Sequence, residues 1–483
     1  MNRFLLPAAC AGVMALALPA SAQQQPAPTE QPPAPGPLRP FTVPPVREMR
    51  LSNGVRVVVV EKHSLPIVTG RVLVAAGSVY EPAEKNGLAS LTAQMLDEGT
   101  RTLTGPQLAE RVEALGAQLG TGAGYNYATV SVTSPKGTFA EAMSLAATTL
   151  TEPSFVEGEV ARVRNQLAAA YMNSTSTVQG LAALAFNRAV YDPASGYSRP
   201  VSGTAATLPG ISRGDVVSFH QRMYSPANTT VLLVGDVTPE EGRRIAEQAL
   251  GRWTAPGAVQ ATLPAPAPVA SSGTRIILVD RPGSVQSGVF VGQPALAANS
   301  PDVIPFSALS QVLGGGFRAR VNMNLRESHG WTYGAFSGMT TFPNAGDFAV
   351  NSSVRTNATD SAVAEIVREY KRIATEAVPQ EELRGSLANV VSSFPNSVQT
   401  VQGLAGRMQT LLQNGQPLNY YNTYLQQMSA LTPADISRVG RERLTPGALT
   451  IVVAGDLSKI EAPIRALNLG TVEVLDASGT KVR

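Results

Sequence analysis

The chain has 483 residues, 43% hydrophobic and 15% charged, with 38 basic and 35 acidic side chains, one Cys and three His. At ~100–200 residues per domain this length calls for two to four domains, and the apolar fraction excludes a wholly disordered chain. One cysteine excludes a disulfide scaffold and any Cys-ligated zinc or iron–sulfur centre. The near balance of charge gives none of the basic excess that nucleic-acid binding uses, so no nucleic-acid partner is expected.

Residues 1–22 read as a cleaved export signal: Arg3 supplies the basic start, residues 4–20 carry no charge, and Ala20-Ser21-Ala22 offers small residues before Gln23. Cys10 falls inside that segment. No later run is long and apolar enough for a membrane anchor, so the expected location is the periplasm of a Gram-negative bacterium. Residues 23–45 hold nine prolines and read as an extended, disordered spacer. A first domain is expected over 46–253, an Ala/Pro-rich linker over 254–273 and a second domain over 274–483.

In the first domain, residues 55–60, 71–75 and 126–133 have the β-branched or alternating pattern of strands, and 86–96 and 105–119 that of helices. In the second, strands are expected at 276–279, 289–291, 332–336 and 348–354, and an amphipathic helix at 360–373. Residues 215–236 and 435–456 match at an offset of 220, pairing Pro226 with Pro446, Thr230 with Thr450, Gly235 with Gly455 and Asp236 with Asp456. Each match leads from a strand through a turn to a helix start with capping-box spacing, Thr238 to Glu241 and Ser458 to Glu461. The pattern predicts an α+β fold of two tandem homologous domains, each a mainly antiparallel sheet packed with helices.

Two stretches carry a family resemblance. Residues 87–100 (GLASLTAQMLDEGT), preceded by Gly77, Ser78 and Glu81, resemble the zinc-site helix of the pitrilysin/insulinase metallopeptidases, which include the mitochondrial processing peptidase. Leu313-Gly314-Gly315-Gly316-Phe317, Arg320, Leu325-Arg326-Glu327, Gly330 and Tyr333 resemble that family's Arg/Tyr segment. The resemblance runs from Val46 to about Gly470. Active members carry His-x-x-Glu-His, whose i, i+4 imidazoles bind zinc from one helix face while the Glu serves as general base. Here those positions are Ser90, Ala93 and Gln94. The family's third ligand, a Glu some eighty residues on, has no counterpart, because residues 160–180 contain no acidic side chain. A methyl group takes no proton, and hydroxyl and amide are poor zinc ligands. No metal ligand, no cofactor and no self-sufficient catalytic residue is therefore expected in this chain.

The second motif is intact. A helix over 317–328 stopped at Gly330, with Tyr333 opening a strand, can bring a guanidinium and a phenol to one side of a cleft. Both suit a peptide carbonyl and the oxyanion it becomes. The alternative is an Arg326 that serves the helix C-terminus and a Tyr333 packed in a sheet. Residues 314–316 lack the Gly-Lys-Ser/Thr continuation of a phosphate loop and read as a tight helix entry. His63, His220 and His329 have no ligand spacing, and no Gly-x-Ser-x-Gly elbow is present.

The resemblance implies a non-catalytic subunit of an exported two-chain zinc peptidase. Arg326 and Tyr333 would bind substrate, a peptide or an unfolded protein. A partner chain with an intact His-x-x-Glu-His would hold the zinc. The alternative it implies is a non-proteolytic binding or scaffold protein of the same fold.

Overall fold

The computed structural model describes residues 41–265, 269, 272–476 and 479–482. The export segment, the spacer as far as residue 40 and linker residues 266–268, 270 and 271 lie outside them. The last residues of the expected spacer are packed rather than solvated. Val43 is buried with its N–H donating to Asn422 Oδ1 at 2.7 Å, and Phe41 meets the Phe394 ring edge-on at 5.3 Å. Two apolar side chains with a surface to cover outweigh the extended bias of the neighbouring prolines.

The first sheet contains β1 (Val46–Arg50), β2 (Arg56–Glu61), β3 (Ile67–Val74), β4 (Gln118–Ala123), β5 (Ala128–Pro135) and β6 (Thr229–Gly235), in the order β1-β2-β6-β3-β5-β4. The second contains β7 (Arg275–Asp280), β8 (Gln286–Pro294), β9 (Thr332–Thr341), β10 (Gly346–Arg355), β11 (Thr450–Gly455) and β12 (Thr471–Leu475), in the order β12-β7-β11-β8-β10-β9. Five strands of each correspond in place and direction: β6 and β11 run parallel to β2 and β7 and antiparallel to β3 and β8. The matched turns are also equivalent, since the Lys62 N–H donates to Gly235 O and the Arg281 N–H to Gly455 O, both at 2.8 Å. The outer strands break the symmetry. β1 joins antiparallel ahead of the repeat, and β12 joins parallel after it. The fold is α+β, with two tandem domains of one plan.

The helices of the first half are α1 (Leu88–Gln94), α2 (Gly105–Ala114), α3 (Phe139–Thr151), α4 (Glu157–Ser174), α5 (Val178–Val190), α6 (Arg213–Met223) and α7 (Pro239–Leu250). Those of the second are α8 (Val303–Gly314), α9 (Arg320–Asn322), α10 (Thr359–Thr375), α11 (Gln380–Gln399), α12 (Val401–Gln413), α13 (Tyr421–Ala430), α14 (Pro433–Arg443) and α15 (Leu457–Ala466). The helix expected over 105–119 stops at Ala114, because Gly116 turns left-handed (φ +62°) and starts the chain back into β4. Thr238 and Glu241 form the expected capping box on α7. Ser458 does not cap α15. That helix begins at Leu457 with Asp456 as its N-cap, and the Ser458 hydroxyl donates to Asp456 Oδ1 at 2.6 Å.

Side-chain alternation explains why the central strands are apolar on both faces. In β2, Val57 and Val59 face the helices of their own half, whereas Val58 and Val60 join Phe394, Leu404 and Met408 from α11 and α12. In β7, Ile276 and Leu278 face their own helices, whereas Ile277 and Val279 join Leu181, Ala185 and Phe186 of α5. Each sheet is thus covered on one side by its own half and on the other by a helix of the opposite half. The N-terminus of α5 comes so close to β8 that a Cβ on Gly288 would lie 2.4 Å from Val178 O. Gln179 on α5 accepts from Ser353 Oγ at 3.1 Å. Tyr191, just after α5, donates to the buried Asp347 of β10 at 2.7 Å.

Two predictions concern this contact between halves. Gly288→Val is expected to lower stability by about 2 kcal/mol or more and expose the α5 connection to protease, whereas Gly338→Ala, in open space on β9, is expected to leave both thermal midpoint and cleavage unchanged. Burial pushes the Asp347 carboxyl up to about 6, against the pull of the Tyr191 hydroxyl. The folded state therefore holds a proton that the unfolded state releases near pH 4, and this group's contribution to stability falls as pH rises from about 4 through about 6. Asp347→Asn keeps an acceptor for Tyr191 and is expected to flatten that part of the pH–stability curve, leaving the variant more stable than the parent at pH 7–8 in thermal denaturation.

Candidate functional site

The helix aligned with the zinc motif is α1, and its surroundings are tightly organised. Glu81 is buried, and its carboxylate accepts from Asn86 Nδ2 at 2.7 Å, the Gly87 N–H at 2.9 Å and the Ala89 N–H at 2.7 Å, closing the helix start. Burial nevertheless pushes this carboxyl up to about 7. Gly87 takes a left-handed φ of +101° to begin the helix. Along it, Ala93 is fully buried, Ser90 is buried, and Gln94 Nε2 donates to Ser90 Oγ at 3.5 Å. A hydroxyl and an amide stand where zinc would need two imidazoles, and the base position is a methyl group. These residues do not fit a catalytic zinc ion. Among the described residues no three His, Cys, Asp or Glu side chains gather in a metal-binding group.

The three histidines stand in separate surroundings. His63 pairs with Asp236 and Glu61, His220 Nε2 lies 2.8 Å from Leu150 O, and His329 stacks on Trp331 at 4.1 Å.

The Arg/Tyr segment begins where α8 ends. Residues 314–316 close a helix rather than open one. A Cβ on Gly314 would lie 2.4 Å from Ser337 N, so the glycine lets the end of α8 rest against β9. The next helical stretch starts only at Arg320, and from Met323 to Ser328 it is a π-helix, with the His329 N–H reaching Asn324 O at 3.2 Å. The α-helix expected over 317–328 is therefore shorter and wider. Two successive glycines fail to carry the helix forward, and the inserted π-turn keeps Leu325 in the core while Arg326 faces outward. Gly330 (φ +63°) ends the turn as expected, its N–H donating to Arg326 O at 3.0 Å.

Tyr333 lies on a β-bulge. Ala335 pairs with Ser352 and Thr332 with Val354, so Tyr333 and Gly334 together oppose Ser353. The Thr332 hydroxyl holds the irregularity, donating to Ser353 O at 2.7 Å and accepting from the Gly334 N–H at 3.0 Å. A bulge re-aims side chains, and here the Tyr333 ring is 89% exposed, with no hydrogen bond to its hydroxyl among the described residues. This overturns the alternative of a tyrosine packed in the sheet. Arg326 is 40% exposed on its side chain; its Nε lies 3.3 Å from Glu327 Oε1 and its guanidinium carbon 5.0 Å from the centre of the Phe317 ring. Phe317 meets Phe336 edge-on at 5.7 Å, and the Phe336 ring covers Gly334. Arg326, Phe317, Phe336 and the Tyr333 bulge therefore form one continuous exposed surface. Phe317 belongs to the segment singled out in the sequence, but its contact with the Arg326 guanidinium was not legible there, because a separation of nine residues would put the two on opposite faces of a helix.

Two family patterns match the chain. Insulinase (peptidase family M16) matches residues 56–193, and the peptidase M16 inactive domain matches residues 210–390. A solved structure of a peptidase M16 inactive domain from Pseudomonas fluorescens superposes with a TM-score of 0.79 at 26% identity, covering 85% of this chain and 98% of that one. In Helicobacter pylori, a protein named non-peptidase homolog YmxG is 21% identical, over 84% of this chain and 93% of its own length. A second protein of that organism, zinc protease PqqE, is 22% identical over 83% and 90%. With the duplicated α+β fold, the substituted zinc motif and both patterns in register, the chain belongs to the insulinase, or M16, peptidase family as an inactive-type member.

Proposed function

We propose that this chain is the non-catalytic subunit of an exported zinc peptidase, lending Arg326 and Tyr333 to a partner chain that carries an intact His-x-x-Glu-His. The observation that carries this reading is the state of the pair. Tyr333 stands almost fully exposed on a bulge, and the Arg326 guanidinium lies on the exposed Phe317 ring beside Glu327. A neutral O–H donor and a fixed cation suit the carbonyl of a peptide and the negative charge it gains during hydrolysis. The presence in one organism of both a non-peptidase homolog and a zinc protease similar to this chain fits a division of labour between two chains. A scaffold role would leave the exposed pair without a task. The substrate would be a peptide or unfolded protein, and the site of action the periplasm.

Purified alone, the chain is expected to contain no stoichiometric zinc by elemental analysis and to cut no peptide. Close to one zinc per chain together with chelator-sensitive hydrolysis would contradict the reading. In a complex with the active subunit, Tyr333→Phe removes one donor and is expected to lower kcat by up to about 10²-fold. Arg326→Ala is expected to lower kcat and raise KM, since the guanidinium can also hold the substrate backbone before reaction. Steady-state hydrolysis by complexes verified by size-exclusion chromatography checks both; wild-type rates in both would make the pair structural.

A further inference from the structure

We infer that Asn322 is the positioning residue that fixes Arg326 and Tyr333 relative to each other; this rests on the function proposed for that pair. Asn322 is fully buried, and both ends of its amide are used. Its Nδ2 donates to Phe317 O at 2.8 Å, and its Oδ1 accepts from the Ala335 N–H at 3.1 Å. These two backbone groups belong to the two walls of the exposed surface. Phe317 carries the ring beneath the Arg326 guanidinium, and Ala335 is the first regularly paired residue beyond the Tyr333 bulge.

Among the described residues no other hydrogen bond joins the loop at Phe317 to β9, where the Phe317 and Phe336 rings also meet. Elsewhere in the segment the Gly330 N–H donates to Arg326 O at 3.0 Å and the Trp331 N–H to Leu325 O at 2.9 Å, while Arg320 forks onto Glu382 of α11 with both bonds at 2.7 Å and Asn324 donates to Glu365 of α10 at 2.7 Å. The contacts with α11 and α10 fix the π-turn to the body of the domain. The Asn322 amide fixes the loop to the strand. Because the link is buried, an apolar replacement leaves a carbonyl and an N–H unpaired and lets the two walls part. Displacement by about 1 Å at a site of this kind can cost about 10² in rate.

The test is a double-mutant cycle in the complex with the active subunit, read as kcat and KM for one fixed peptide. Asn322→Leu, close in volume, is expected to lower kcat about 10- to 100-fold with a smaller change in KM, because the interactions it misplaces strengthen in the transition state. Asn322→Asp keeps the acceptor for the Ala335 N–H and is expected to fall between parent and Leu; it also carries the test if the Leu variant fails to fold. In an Arg326→Ala, Tyr333→Phe background, the same Asn322 substitution is expected to cause less than about a twofold further loss.

Full additivity in that background would overturn the inference, because a residue that only stabilises the fold subtracts its effect whether or not the pair is present. So would a parent-like kcat in a folded Asn322→Leu complex. If Arg326→Ala and Tyr333→Phe leave activity untouched by themselves, the functional reading of the pair fails first and the role of Asn322 falls with it, a result distinct from additivity.

Discussion

Each sheet of this protein has two apolar faces but only enough helix in its own half to cover one. The second face is covered by a helix from the other half: α12 lies on the first sheet and α5 on the second. Neither half could expose Val58, Val60, Leu232 and Val234, or Ile277, Val279, Val452 and Ala454, to water without losing on the order of 1.5–3 kcal/mol for each large side chain. The exchange therefore binds the two domains into one body. It also explains why a glycine at 288 and the buried pair of Tyr191 with Asp347 sit where α5 meets the second sheet.

That constraint leaves the outer rim of the second sheet free. β9 is an edge strand, and it is there that the chain departs from regular structure twice: a π-turn before it and a bulge within it. Both departures turn side chains outward instead of burying them. Of the exposed Phe and Tyr side chains here, Phe317 and Phe336 meet on this rim with Arg326 over Phe317, and Tyr333 stands on the bulge of the same strand as Phe336. The opposite treatment is seen at α1, where Ser90 and Ala93 at the aligned zinc-motif positions are buried in packing.

The sequence made much of this legible. β-branched runs marked β2, β7 and β10, the 220-residue offset marked the duplication, and the substitutions at Ser90, Ala93 and Gln94 marked the lost zinc site. The β-branched run at residues 55–60 signalled a strand, but not what covers its second face, since the covering helices lie far away in the chain. Ser458 had the spacing of a cap, yet the N-cap position falls two residues earlier at Asp456. The π-turn, the bulge at Tyr333 and the bond from Asn322 to Ala335 depend on where β9 and α10 meet the segment. These are tertiary facts with no local periodicity to announce them.

Pairing with an active subunit is tested most directly by isolating this chain from its native host with an affinity tag and identifying, by intact mass and elemental analysis, what accompanies it. The account predicts a one-to-one complex with a second M16-type chain bearing His-x-x-Glu-His and one zinc per pair. Recovery of this chain alone or only with copies of itself, or with a partner lacking that motif, would contradict it.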